Sequence, residues 1–133
     1  MSFMLMDEVF YFSAEGGYGT GTELYAHNTS NHSTWLVADI YPDPAEFAGS
    51  NSSVPGNYME VFIGDTLYFD ARDDNTGLSQ LWAHDTSNRT TWKVHDASAQ
   101  GGSMNMPQGK LVMVLVDTLY FAATLDTAYG VEM

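Results

Sequence analysis

An 18-residue segment that occurs twice in the chain constrains the fold more than any other feature. The two segments cover residues 23–40 and 80–97, which lie 57 residues apart, and 10 of the 18 positions are identical. Unrelated segments of this length would share about one position, so one structural unit has been copied. Copied units of this size stack on one another to share a core.

A shorter motif shows that the unit occurs three times. The aromatic runs at residues 65–71 and 117–123 are near copies, and residues 8–14 form a third. Their equivalent positions lie 57 and then 52 residues apart. Aromatic and β-branched residues favour strands, and apolar residues at consecutive positions predict a strand that is covered on both faces. Each run is therefore predicted to lie centrally in a sheet.

Four antiparallel strands are predicted in each complete copy. An apolar stretch precedes each aromatic run, and the copied segment supplies two more strands that flank a polar turn. Gly, Asn, Asp, Ser and Thr cluster between the runs, and no stretch shows sustained helical spacing. The predicted strands are residues 2–6, 8–14, 23–27 and 34–38, then 59–63, 65–71, 80–84 and 91–95, and in the third copy 111–115 and 117–123.

These strands predict an all-β chain of repeated four-stranded antiparallel blades, arranged as in a β-propeller, with an open stack of sheets as the alternative. A single repeat domain over residues 1–133 would contain blade one at about 1–40, blade two at about 58–97 and a partial blade three at about 110–133. About two and a half blades cannot close a ring. Unfinished sheet edges predict self-association or pairing with further blades.

The copies differ in length between the fourth strand and a shared proline, Pro55 or Pro107. The difference lies in residues 41–53 against 98–106, so this loop is predicted to tolerate insertion and to be exposed.

The charge excludes some partners. The chain has 17 acidic and 4 basic residues, a formal net charge of −13, so a nucleic-acid backbone or an anionic membrane surface would be repelled. It has no cysteine, hence no disulfide or thiolate site. No basic region precedes the apolar patch at residues 3–6, so no signal peptide is predicted, and no run is long enough for membrane insertion.

The copied segment resembles the ELWxxDGT repeat of bacterial and archaeal surface proteins. Residues 23–40 begin Glu-Leu-Tyr, and residues 80–97 carry Leu81, Trp82 and Asp85 at the motif positions. A Pro- and Ser-rich loop and then a Leu-Tyr-Phe strand follow, so the resemblance covers nearly the whole chain. Thr and Ser replace the Gly-Thr of the family motif. The resemblance implies a propeller-like, extracellular or surface-attached array without enzymatic activity in the repeat itself.

A weaker resemblance links the same hairpin to the Asp-box of sialidase-type propellers, because Thr34-Trp35 and Thr91-Trp92 follow an Asn or Asp turn. In both copies Asn28 or Asp85 is predicted to accept N–H groups of the turn, and the Trp to anchor it.

One acidic cluster suggests a metal. Clustered oxygen ligands suit calcium, and four such residues follow the second strand of the second copy: Asp70, Asp73, Asp74 and Asn75. The cluster has no counterpart in the first copy and lacks the spacing of the known calcium loop, so a solvated acidic loop is the simpler interpretation.

Three tryptophans, Trp35, Trp82 and Trp92, are candidates for stacking on sugar rings, although repeated aromatic residues in strands more often pack between blades. His27 and His84 occupy one position in two copies, where a structural role at the turn is favoured over a metal site. The sequence contains no recognisable catalytic constellation, and no cofactor other than calcium is suggested.

These observations favour a non-catalytic extracellular or cell-surface module for adhesion, assembly or glycan binding, with a glycan or a protein as ligand. The alternative is a fragment of a propeller hydrolase, such as a glycosidase, whose active site needs blades that this chain lacks.

Overall fold

The structure, a computed structural model, describes residues 3–16, 21–42, 51–57, 60–73 and 78–95 and the segments 112–115, 118–121, 123–126 and 130–132. These residues form twelve β-strands, and no helix occurs among them. The prediction of an all-β chain is confirmed. Within the described ranges, no helix is long and apolar enough to cross a membrane.

Two antiparallel sheets of four strands confirm the first two predicted copies. In each sheet the strands are neighbours in chain order, so the aromatic second strand is central, as predicted. The first sheet contains β1 (Phe3–Met6), β2 (Val9–Glu15), β3 (Thr22–Asn28) and β4 (Thr34–Ala38). The second contains β5 (Glu60–Ile63), β6 (Thr66–Ala71), β7 (Gln80–Asp85) and β8 (Thr90–His95).

The third copy forms two hairpins. β9 (Val112–Leu115) pairs with β10 (Thr118–Phe121), and β11 (Ala123–Asp126) pairs with β12 (Gly130–Glu132). β10 lies within the predicted second strand, 117–123, which β11 overlaps only at its first residue, and by the repeat spacing β12 is equivalent to the start of β3.

All three copies pair their first two strands in one register. The equivalent cross-strand pairs are Phe3–Phe12, Glu60–Phe69 and Val112–Phe121. The next hairpin also agrees, since Ala14 lies opposite Glu23 in the first copy and Ala123 lies opposite Glu132 in the third. A slip of one residue would turn every side chain to the other face. The shared register therefore places equivalent residues of the copies on equivalent faces.

The hairpin of the third and fourth strands is repeated down to its irregularities. Both sheets have a β-bulge at the same place, opposite Leu24 and Tyr25 in the first and opposite Leu81 and Trp82 in the second, with Val37 of β4 and Val94 of β8 as the extra residues. The residues with left-handed backbone in the two turns are His32 and Arg89, each with φ of 61°. The copied segment thus encodes one hairpin geometry, and neither turn contains a glycine.

Side-chain hydrogen bonds shape this turn identically in both copies. Asn28 Oδ1 accepts hydrogen bonds from Ser30 N and Ser30 Oγ at 2.8 and 2.7 Å, and Asp85 Oδ1 accepts those of Ser87 N and Oγ at 2.9 and 2.6 Å. The predicted role of Asn28 and Asp85 is confirmed. The hydrogen bonds from Ser87 also lower the pKa of the Asp85 carboxyl.

The chain divides into two compact units. The first comprises residues 1–57 and 71–75, and the second comprises residues 58–70 and 76–133. The first sheet lies in the first unit, and the third copy lies in the second.

The two sheets bury one common face of the repeat, since Leu24 and Ala26 of the first sheet and their equivalents Leu81 and Ala83 of the second are all buried. In the first sheet the buried face carries Tyr11, Leu24 and Ala26. In the second sheet Leu67 and Phe69 are buried, and they occupy the positions of Phe10 and Phe12, which lie half-buried on the other face of the first sheet. One face is therefore buried in both copies, whereas the positions of Phe10 and Phe12 are fully buried only in the second sheet.

The turn between the first two strands offers a test of the repeat. Asp7 and Gly64 occupy the same position, with φ of 53° and 60°. A left-handed backbone crowds a Cβ atom, and glycine avoids this strain. Asp7→Gly should raise the free energy of unfolding by about 0.5 kcal/mol, measured by urea denaturation. Glycine introduced at the neighbouring Glu8 should lower it, and a fall with Asp7→Gly would contradict the assigned turn.

Candidate functional site

The three tryptophans predicted to bind sugars lie in different settings. Trp35 of β4 and Trp82 of β7 are half-buried, whereas Trp92 of β8 is 40% exposed. Lys93 Nζ lies 5.8 Å from the centroid of the Trp82 ring, within the range of a cation–π contact. Trp92 is thus the one of these rings with a large exposed surface.

The residues of the predicted calcium cluster do not share one loop. Asp70 was placed after the second strand, but β6 extends through Ala71 and Asp70 is fully buried within it. Asp73 is half-buried after the strand, and Asp74 and Asn75 lie outside the described residues. In the described part of the chain, no three acidic or histidine side chains form a group that could hold a metal ion.

The two repeated histidines hold the third strand to the fourth. His27 Nδ1 lies 2.7 Å from Thr34 Oγ1, and His84 Nδ1 lies 2.8 Å from Thr91 Oγ1. His84 is buried, and this burial lowers its pKa. The geometry supports a structural role at the base of the hairpin.

An apolar surface covers the less buried side of the first sheet. This Leu36 face comprises Leu5, Phe10, Phe12, Tyr25 and Leu36. The cross-strand pairs Leu5–Phe10, Phe12–Tyr25 and Tyr25–Leu36 place these side chains on one face. Leu5 is 55% exposed and Leu36 is 36% exposed, and the rings of Phe12 and Tyr25 stack between them with centroids 6.3 Å apart.

A second apolar surface lies on the outermost strand of the second sheet. This Trp92 face is defined by Trp92 and Val94 of β8, which are 40% and 41% exposed. Trp92 lies opposite Ala83, and the equivalent Trp35 lies opposite Ala26. Leu36 and Trp35 are neighbours in β4, so they lie on opposite faces of the sheet. Because Trp92 is the equivalent of Trp35, the Leu36 face and the Trp92 face are opposite faces of the repeat.

A buried carboxylate organises one end of the first sheet. Glu23 of β3 is fully buried. Its Oε2 accepts hydrogen bonds from Ile40 N at 2.9 Å and Ser53 Oγ at 2.5 Å, and its Oε1 accepts one from Ser53 N at 3.1 Å. These contacts, called here the Glu23 network, fix the chain after β4 and the loop before Pro55 to one strand. Ser53 is fully buried, so the prediction that residues 41–53 are exposed is wrong at this end of the loop.

The network extends to the backbone around it. Ser53 N also lies 3.0 Å from Thr22 O, and Ser53 O accepts a hydrogen bond from Arg72 N at 2.9 Å. Burial in this position raises the pKa of Glu23 above its ordinary value, against the lowering effect of the hydrogen bonds, and the nearby Asp39 carboxylate raises it further. Because buried donors of the Glu23 network use the carboxylate as their acceptor, removal of the carboxylate should destabilise the fold.

Glycine at position 21 permits the loop to approach β3. Gly21 has φ of 59°, and a Cβ atom placed on it would lie 1.6 Å from Asn51 O. Thr22 N, the next amide, donates a hydrogen bond to Ser52 Oγ at 2.9 Å. The loop thus packs directly against the backbone at the start of β3.

Sequence reasoning missed this network. Glu23 aligns with Gln80, which is also buried, so a polar side chain recurs at one position in two strands. That recurrence was a usable signal. The partner Ser53 lies in the segment of unequal length, where the repeat gives no counterpart by spacing.

Comparisons with known proteins identify no relative. The chain matches no protein-family model, no curated protein and no solved structure. Its function is therefore inferred from its own surfaces.

Proposed function

We propose that the chain is a non-catalytic repeat module of an extracellular or cell-surface array, whose sheets pack face to face with further copies, as the blades of a propeller do. This proposal rests on one observation: two opposite faces of the repeat, the Leu36 face and the Trp92 face, expose large apolar side chains. Exposed apolar patches of this kind mark interaction surfaces.

The partner that fits best is another copy of the repeat. Facing sheets pack through interdigitated side chains, and the second sheet shows that the Phe10 and Phe12 positions, occupied by Leu67 and Phe69, are compatible with full burial. Two different faces that meet form a head-to-tail contact, which builds an array or a ring rather than a symmetric pair. The resemblance to surface-protein repeats agrees with such an array.

Outer strands offer a second route to assembly. In the described sheets β1, β4, β5 and β8 each pair with one neighbouring strand only, so their outer edges carry hydrogen-bonding groups that an added strand could satisfy. Exposed side chains on β4 and β8 lie beside these edges. The face-to-face arrangement is preferred because it buries the apolar surfaces as well.

Light scattering tests the proposal. The molar mass should exceed the 14.7 kDa of one chain at micromolar concentration and rise with protein concentration. Because the net charge of −13 opposes association, added salt should raise the molar mass further. Leu36→Thr and Trp92→Thr should each lower it. A mass of one chain at every concentration and salt level would overturn the proposal.

A further inference from the structure

A cleft of about 340 Å³ lies at one end of the first sheet. Ser13, Ala14 and Glu15 of β2 and Thr22 of β3 form one side, and residues 54–57 form the other. The volume falls within the range of small-molecule pockets, about 300–1,000 Å³. The assembly proposed above does not use this cleft, so the cleft is a feature separate from the apolar faces.

The loop wall of the cleft is held in a strained shape. Val54 has φ of 48°, which is unusual for a β-branched residue, and Gly56 has φ of 74°. Strain of this kind persists only where surrounding contacts enforce it, and it is concentrated at functional sites. Here the Glu23 network holds Ser53, and Val54 N donates a hydrogen bond to Thr22 O at 3.2 Å. The wall is therefore formed before any ligand arrives, which lowers the cost of ordering on binding.

The lining groups define the chemistry of a ligand. Glu15 lies directly opposite Thr22, so its carboxylate and the Thr22 hydroxyl share a face of the sheet, and Ser13 lies two residues away on that face. Asn57 adds an amide, while Ala14 and Pro55 are apolar. Among the described residues that line the cleft, Glu15 is the only charged one. One carboxylate is too few for a calcium site, but it can pair with an ammonium group. The hydroxyl groups and the amide of the lining residues can hydrogen-bond the hydroxyl groups of a ligand.

We propose that this cleft binds a small hydroxylated ammonium compound of the amino-sugar class. The Glu15 carboxylate pairs with the ammonium group, and Ser13, Thr22 and Asn57 hydrogen-bond the hydroxyl groups. The net charge of −13 attracts such cations toward the protein.

Calorimetric titration of the full chain with glucosamine tests this site. Saturable binding with one site per chain is expected, and glucose should bind at least tenfold more weakly because it lacks the ammonium group. Glu15→Gln should weaken glucosamine binding at least tenfold, and Asn57→Ala at least threefold. Both residues are exposed, so the fold should be retained, which circular dichroism checks.

Glu8→Gln is the matched control, since Glu8 is an exposed acid outside the cleft and the charge change is the same. It should change the affinity less than twofold. The proposal is overturned if glucosamine shows no saturable binding, if glucose binds equally well, or if Glu8→Gln and Glu15→Gln weaken binding equally, which would indicate attraction to the acidic surface as a whole.

Discussion

Replacing Gly21 with alanine is expected to cause a large loss of stability, about 3–4 kcal/mol in the free energy of unfolding. The added Cβ would lie 1.6 Å from Asn51 O, which is a backbone atom and not the end of a flexible side chain, so the loop must move. Moving it separates Ser53 from Glu23 and leaves buried donors without their acceptor. Urea denaturation measures the loss.

Gly64→Ala is the matched control for this variant. Gly64 has nearly the same φ, 60°, but a Cβ atom there would meet nothing within 4 Å. Only the strain of a left-handed backbone applies, about 1–2 kcal/mol. Equal losses for the two variants would show that backbone strain alone acts at Gly21 and that the loop does not pack against β3 as described.

Removing the Glu23 carboxylate is the second change with a large expected effect. Glu23→Ala leaves the N–H group of Ile40 buried without its acceptor, at about 1–3 kcal/mol, whereas Ser53 N keeps its hydrogen bond to Thr22 O. We expect a loss of about 2 kcal/mol in total, again measured by urea denaturation. Glu23→Gln should lose much less, because the amide oxygen still accepts hydrogen bonds and glutamine is already buried at the equivalent position 80.

The pH dependence of stability distinguishes Glu23 from the other acids. Its pKa is raised in the folded protein, so the folded state holds this proton more tightly than the unfolded state does. The resulting stabilisation is fully present below the ordinary glutamate pKa and is lost as the pH rises through the folded pKa. A protonated Oε2 can donate to Ser53 Oγ, whose own hydrogen then points to Thr22 O, 3.4 Å away.

We therefore expect the stability of the natural chain relative to Glu23→Gln to fall as the pH is raised from 4 through the weakly acidic range. Urea midpoints of both proteins at several pH values measure this difference, in which the other carboxyl groups cancel. A difference that grows with rising pH would contradict the raised pKa of Glu23.

Periodicity in the sequence was sufficient to predict the strands and their repeat. The aromatic runs of the first two copies became second strands, and in all three copies the run pairs with the preceding strand in one shared register. The turn chemistry of Asn28 and Asp85 was also predictable, since it depends on residues two positions apart.

Long-range polar contacts could not be predicted in the same way. Glu23 meets Ser53 across 30 residues, and no local pattern specifies that pairing. Asp70 was assigned to a loop as part of the acidic cluster although it falls within the predicted strand 65–71, and it is buried inside β6. Leu67 and Phe69 are buried whereas the equivalent Phe10 and Phe12 are half-buried, and this difference depends on what covers each copy, which the repeated sequence alone does not encode.

The most direct test of the array is the molar mass of a mixture of two variants. Leu5→Thr with Leu36→Thr removes one face, and Trp92→Thr with Val94→Thr removes the other. A head-to-tail contact needs one Leu36 face and one Trp92 face. Each variant alone should therefore show the 14.7 kDa of one chain by light scattering, and an equimolar mixture of the two should approach twice that mass. A mixture that remains at the mass of one chain, or variants that still associate alone, would contradict the account.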